Sequence, residues 1–558
     1  MTTDLEIARS VEPRPIGDVA ADLGIAPEHV EPWGRQVAKV SLDAIAGEKK
    51  ARYVLVTATS PTPLGEGKTT TSVGLAQAMH RLGQKSVVTL RQPSQGPTFG
   101  IKGGAAGGGH SQVIPMEEMN LHLTGDFHAV TAANNMLAAL IDAHLYHGNQ
   151  LSLVPHDITW RRVVDVNDRA LRDMVLGLGR KVDGVPRQTG FDITAASEVM
   201  AILGLATDLE DLRIRLGRIV IGYDRHQKPV TAEQVKGAGA MAVLLRDALE
   251  PNLLQTLEGS AALVHTGPFA NIAHGNSSVV ADELAVRVAD VCITEAGFGT
   301  DIGAEKFFNI KCRASGLAPD VAVIVTTVRS MKMHSGNHRI RPGRPLPPAM
   351  LEENPAEVTD GAANLRRHIG IIRRHGVTPV VAINKFATDH ESEHQAIAAV
   401  CEAEGVAWAV SDPHAGGGAG CEDLARTVLD AEASNFELLY PDDLPVRNKI
   451  ERIATEVYGA DGVNFESAAQ KDIDRYEDLG WGHLPICMAK THLSLSHDPR
   501  VHGAPTGWML PIRRVQASIG AGFLLPLAGE VRRMPGLASH PSAFDMDLLP
   551  DGTIVGLS

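Results

Sequence analysis

Aromatic side chains are scarce, at 4% of 558 positions, so the core has to be built from Ala, Val, Leu and Ile. Cysteine is scarcer still. The five that occur, Cys292, Cys312, Cys401, Cys421 and Cys487, stand far apart without a C-x-x-C pair, which argues against a disulfide framework and a thiolate zinc site. No apolar run reaches the ~18 residues that a membrane helix needs, and no repeat of solenoid period occurs. No long basic run offsets the formal charge of −14, from 52 basic and 66 acidic residues. Nucleic acid and anionic membranes are therefore not the expected partners, and an anionic ligand needs a local basic pocket. The scattered cysteines make a reducing cytoplasm the expected location, and the first residues, Met1 to Glu6, show neither a basic head nor an apolar signal core, so export by a visible signal is not expected.

What is present is an ordinary soluble composition, 44% hydrophobic and 21% charged, in a chain long enough for three or four domains of ~150 residues. The apolar, β-branched run Tyr53 to Thr59 precedes Thr62, Pro63, Leu64, Gly65, Glu66, Gly67, Lys68, Thr69 and Thr70. Beyond them Leu75, Met79 and Leu82 recur at helical spacing, Gly83 terminates, and Ser86 to Leu90 reads as a second strand. This is a βαβ unit with a glycine-rich loop after its first strand, a phosphate cradle of the G-x-x-x-x-G-K-[ST] type with Thr62 in place of the first glycine. ATP is the expected ligand: Lys68 supplies charge near the outer phosphates and Thr69 a hydroxyl for magnesium. Arg91, directly after the second strand, is expected on the same rim.

Short β-branched runs at Ala262 to Thr266, Val291 to Thr294, Val321 to Thr327 and Thr378 to Ile383 read as further parallel strands. The segment from Asn364 to His375 reads as a helix with Leu365, Ile369 and Ile372 on one face. The class is α/β: a P-loop-containing parallel-sheet nucleotide domain with additional smaller α/β domains. Residues 1 to 50 read as a helical lead-in. Glu295 and Asp301 follow a strand, where an acid anchors magnesium or else caps the next helix or pairs with Lys306. Asn384-Lys385 ends another strand, but Asp389 is misplaced for guanine recognition, leaving Asn384 and Phe386 as ligand-lining residues or a plain strand end. His122 and His128 flank Thr124-Gly125-Asp126, a candidate substrate site. The run from Gly103 to Gly109 is expected to drape over a ligand or act as a lid, and His338 to Met350 reads as an exposed linker or insertion.

The phosphate loop, Arg91-Gln92-Pro93-Ser94, Phe99 to Gly109, His265 to Gly275, Thr294 to Gly299, Gly303 to Phe308, Asn384-Lys385-Phe386, Leu484 to Thr491 and Gly507 to Arg513 together resemble the formate–tetrahydrofolate ligase family along nearly the whole chain. That resemblance implies a two-step ligation, in which formate attacks the terminal phosphate of ATP and the N10 amine of tetrahydrofolate takes the formyl group from formyl phosphate. Lys68 and Arg91 become the catalytic pair, Thr69 and Glu295 the magnesium ligands, and Asp126, Phe386 and His414 the folate contacts. It also implies a homotetramer, activation by ammonium or potassium, and division into a nucleotide domain at 1–362, a folate-contributing α/β domain at 363–485 and a small C-terminal domain at 486–558. Three features depart from the family: Gln92 stands where many relatives carry Glu, His414 where relatives have a Trp lid, and the 338–350 stretch looks inserted. The second departure keeps open a ligase for another amine and a nucleotide-regulated scaffold without catalysis.

Overall fold

In the computed structural model, which describes residues 2–63, 65–102, 105–340 and 345–557, one mostly parallel sheet organises the chain. Its twelve strands, numbered along the sequence, are β1 (Val30–Trp33), β2 (Val37–Val40), β3 (Arg52–Ala58), β4 (Ser86–Leu90), β5 (Gly107–Gly108), β6 (Ser111–Ile114), β7 (Asn252–Thr256), β8 (Ala261–Val264), β9 (Val291–Glu295), β10 (Val321–Thr326), β11 (Thr378–Asn384) and β12 (Ala407–Ser411). The order across the sheet is β1-β2-β7-β8-β4-β9-β3-β10-β11-β12, with β5 and β6 attached beside β7. From β8 to β12 every pairing is parallel, and the carboxyl ends of those strands share one rim.

The central strands are apolar on both faces because helices cover both. Every residue of β4, β9 and β10 is buried, and each buried Val, Leu or Ile contributes roughly 1.5–3 kcal/mol of transfer free energy. Helix α3 (Lys68–Arg81), numbered after α1 (Asp4–Arg9) and α2 (Ile16–Asp22), packs on one face. Its end matches the expected stop, with Gly83 at φ +81°. On the other face lies α6 (Ala362–Arg374), whose Leu365, Ile369 and Ile372 are fully buried while Arg366 and Arg373 reach outward to Glu404. Two more helices matter below, α4 (Asp126–Tyr146) and α5 (Val328–His334).

Residues 1–50 depart from the expected lead-in. After α1 and α2 they form the β1–β2 hairpin, which extends the sheet antiparallel beside β7. Val37 to Val40 is buried at every position, so the run expected to lead toward a strand is itself one. The sheet also continues through the expected boundary at 362/363, because β11 pairs with β10 and β12 with β11.

Two further hydrophobic clusters flank the sheet. One gathers α4 with the helices up to Leu249; the other joins Leu439, Tyr440 and the segment from Val446 to Ala528. Of the 338–350 stretch, residues 341–344 lie outside the described residues. Its end is anchored, with Met350 buried and its carbonyl accepting from Lys332 Nζ at 3.1 Å. The described residues contain no helix long and apolar enough to cross a membrane.

Candidate functional site

The chain leaves β3 through Ser60 under constraint from two histidines. Ser60 N–H donates to His368 Nε2 at 2.9 Å, and His334 Nε2 donates to the Ser60 carbonyl at 2.8 Å. Burial depresses both imidazoles to about 4 from 6.5, which keeps His368 Nε2 a neutral acceptor. The phosphate loop follows. Leu64 lies outside the described residues, but its neighbours are held from three directions.

Glu66, almost fully buried, accepts the Thr62 N–H at 2.7 Å and the Thr327 hydroxyl, and its backbone carbonyl receives Asn384 Nδ2 at 2.9 Å. Arg329, from the first turn of α5, donates to the Gly65 carbonyl at 3.0 Å. Gly67 sits at φ +75°, and a Cβ there would come within 2.5 Å of Asn384 Nδ2. Only glycine lets the loop turn into α3 against that amide. Lys68 opens the helix, whose first turn is its anion-attracting end.

Three strand ends meet beside it. Thr69 Oγ1, from the first turn of α3, donates to Glu295 Oε2 at 2.5 Å at the end of β9, and Glu295 Oε1 lies 3.6 Å from Arg91 Nη2, just beyond β4. Glu295 is buried and Arg91 partly so, with side-chain exposures of 6% and 27%. Arg91 is weakly held for a guanidinium so placed. Its other contact is a 3.3 Å bond to the Pro268 carbonyl, and Nε, although buried, has no partner among the described residues. Buried donors in native structures are normally paired, so this fork is set to receive an anion. Gly297 makes room for it, because a Cβ there would lie 3.1 Å from both terminal nitrogens.

A magnesium ion fits this donor set. Thr69 and Glu295 offer adjacent hard oxygens where phosphates would lie, and Mg²⁺ takes one or two such protein ligands with phosphate oxygens and water filling the rest.

Asp301 goes elsewhere. Neither at this centre nor paired with Lys306, it is fully buried against Lys490 Nζ at 2.7 Å, while Lys306 donates to the Ala270 carbonyl. Both residues sit on the 290–310 stretch, but Lys490 arrives from a distant segment that spacing alone does not reveal. The same segment brings His492, which stacks on Phe298 with centroids 4.2 Å apart. Phe298 holds a left-handed φ of +62°, an uncommon conformation for a bulky side chain and one that gathers at functional sites.

The expected folate contacts are dispersed. Phe386, half-buried after β11, lies under the Arg329 guanidinium at 3.7 Å from its ring centroid, and its N–H donates to Asp389 Oδ2 at 2.9 Å. Asp389 thus closes a turn. Asp126, at the start of α4, is buried in an ion pair with Lys39 at 2.7 Å and accepts Asn252 Nδ2 at 2.7 Å. Its neighbour Phe127 packs beside Gly267, on the loop that carries Pro268. His122 Nδ1 and His128 Nε2 bond to each other at 2.8 Å.

His414 is exposed and lies 3.8 Å from Asp4, with its carbonyl accepting the His110 N–H at 2.9 Å. Gly103 and Gly104 lie outside the described residues. The rest of the glycine run is pinned, with Ala105 N–H on Asn120 Oδ1 at 2.8 Å, Gly109 N–H on Asp4 Oδ1 at 2.9 Å, and β5 paired with β6. Sequence reasoning missed the roles of Thr327 and Arg329. Their available signal was position, directly after the apolar run that forms β10.

A model of the formate–tetrahydrofolate ligase family matches residues 2–558. Among curated relatives, proteins named formate–tetrahydrofolate ligase are 61% identical in Saccharopolyspora erythraea, covering 100% of this chain and 99% of the relative, and 58% identical in Cutibacterium acnes, covering 100% of both. A third, from Desulforamulus reducens, is 52% identical over 100% of this chain and 99% of its own. Such similarity over full length identifies an enzyme: the chain belongs to the formate–tetrahydrofolate ligase family.

Proposed function

We propose that the protein ligates formate to tetrahydrofolate with cleavage of ATP, giving 10-formyltetrahydrofolate, ADP and phosphate through formyl phosphate. The observation that carries this reading is the under-satisfied Arg91 fork beside Glu295 and Thr69, within reach of the helix end that Lys68 opens. Formate is a poor acylating agent because its leaving group is oxide. Phosphorylation replaces that group with phosphate, and such transfer is catalysed mainly by positioning and charge neutralisation.

In this scheme a formate oxygen attacks the terminal phosphorus in line with departing ADP. Lys68 and the α3 N-terminus take up phosphate charge, while Arg91 grips formyl phosphate through two parallel N–H bonds. Thr69 and Glu295 would hold magnesium, which when bound would supply charge neutralisation to the phosphate chain. The N10 amine then attacks the formyl carbon, and phosphate leaves with the oxygen that came from formate. Phe386 and Asp126 serve the pterin and His414 lies at its margin. The working form is a cytoplasmic homotetramer, activated by ammonium or potassium.

Incubation with ATP, formate and tetrahydrofolate is expected to yield 10-formyltetrahydrofolate, and its absence removes the proposal. The reading that another amine is the acceptor gains if folates fail to raise the melting temperature while that amine does.

A further inference from the structure

Between the α4 cluster and the C-terminal cluster lies a cavity of about 560 Å³, a size typical of small-ligand sites. Arg161, Arg172, Arg475, Arg514, Arg532 and Arg533 line it, against four carboxylates. An excess of fixed positive charge is unexpected in a chain of net charge −14, and the pairing sharpens it. Asp472 is taken by Arg514 in a two-point bond at 2.7 and 3.0 Å. Asp192 is shared, 3.1 Å from Arg161 and 3.7 Å from Arg533. Glu198 is turned toward the Gly520 N–H at 2.8 Å, and burial pushes its carboxyl up to about 7.

Arg172 and Arg475 donate to backbone carbonyls, of Met534 and Gln227, and not to carboxylates. Arg475 is also fixed flat on the Tyr223 ring at 3.7 Å. Their forks are oriented in advance and unneutralised, as recognition of carboxylate or phosphate groups requires. Ile272 and Ala273, which also line it, belong to the loop whose Pro268 carbonyl receives Arg91.

We propose that this cavity is a second ligand site, separate from the ligation centre, which takes a small multivalent anion, a tricarboxylate or an oligophosphate, between Arg172, Arg475 and Arg533. The site does not depend on which amine the enzyme formylates.

The test is isothermal titration calorimetry of the wild-type protein with citrate and with tripolyphosphate, at matched ionic strength and without ATP, formate or folate. Saturable binding of at least one anion is expected, one-to-one in Lys68→Ala, where the phosphate loop is disabled, and the anion that saturates there fixes the class. Binding should survive Lys68→Ala and weaken at least tenfold in the double variant Arg172→Gln, Arg475→Gln. Should that variant not fold, Gln516→Glu adds a carboxylate beside Arg533, which donates to Gln516 Oε1, and should weaken binding in the same way. Three results overturn the proposal: no saturable binding of either anion, loss of binding in Lys68→Ala, or unchanged affinity in the arginine and Gln516 variants. Turnover is not read, so none of these outcomes bears on the ligation chemistry.

Discussion

At the β3, β4 and β9 ends of the sheet the polar side chains are buried and tied to one another: Glu66 holds the phosphate loop, Thr69 meets Glu295, and Glu295 faces Arg91. At the β11 and β12 ends, Phe386 and His414 sit on separate segments, half-buried and exposed, one under Arg329 and the other, in the short helix Pro413–Gly416, beside the glycine run. The first region is pre-organised, as a reaction that proceeds by positioning and charge requires. The second is more open to solvent. Arg329 joins the two, with one nitrogen on the Gly65 carbonyl and its plane on Phe386.

If the contrast is real, substitutions in the first region should damage turnover and those in the second should damage folate binding. Lys68→Ala and Arg91→Ala are each expected to lower kcat by about 10³-fold with the melting temperature nearly unchanged, the scale seen when a charged group is removed from a transition state. Steady-state rates with thermal unfolding check this, and near-normal turnover in either variant breaks the assignment.

Gly67→Ala comes next. A left-handed alanine costs ~1–2 kcal/mol and its Cβ would strike Asn384, so ATP affinity should fall by about 10-fold or more while folate affinity holds. Arg329→Ala should have a smaller but dual effect, raising KM for both ATP and folate by about two- to tenfold, since it removes one hydrogen bond and one cation–π contact. An effect on only one substrate would show that the bridge is not functional.

The pH dependence near neutrality is smaller again. His265, His334, His368 and His375 are all depressed to about 4 from 6.5 by burial. Between pH 4 and 6.5 the unfolded chain therefore binds more protons, and stability rises with pH. Their contribution is complete above 6.5 and is lost as pH falls toward 4. Glu198 and Glu305, raised to about 7 from 4.5, act oppositely, favouring the fold below 4.5 and losing that contribution by pH 7. With His274 also depressed and Asp165 raised to about 6 from 3.8 by burial, five histidines against three acids give a net fall in melting temperature on acidification from pH 6.5 to 4. A flat profile would mean that the histidines around Ser60 are not held neutral.

The contrast also explains what could be read from the chain. Strand β3, its loop and α3 are contiguous, and their signals, β-branched run, glycines and helical spacing, act over a few residues. Arg91 and Glu295 were legible because each directly follows an apolar run that becomes a neighbouring strand. The β1–β2 hairpin was not, because Pro32 and Trp33 interrupt any alternation and its burial comes from pairing with β7. Lys490 on Asp301, His492 on Phe298 and Arg329 on Phe386 depend on segments that meet only after the chain has folded, and local spacing carries no trace of them.

The most direct test is isotopic. With ¹⁸O-labelled formate, ATP and tetrahydrofolate, the account predicts one labelled oxygen in each phosphate released, because a formate oxygen bridges carbon and phosphorus before the amine attacks. Unlabelled phosphate formed alongside formylated product would contradict it.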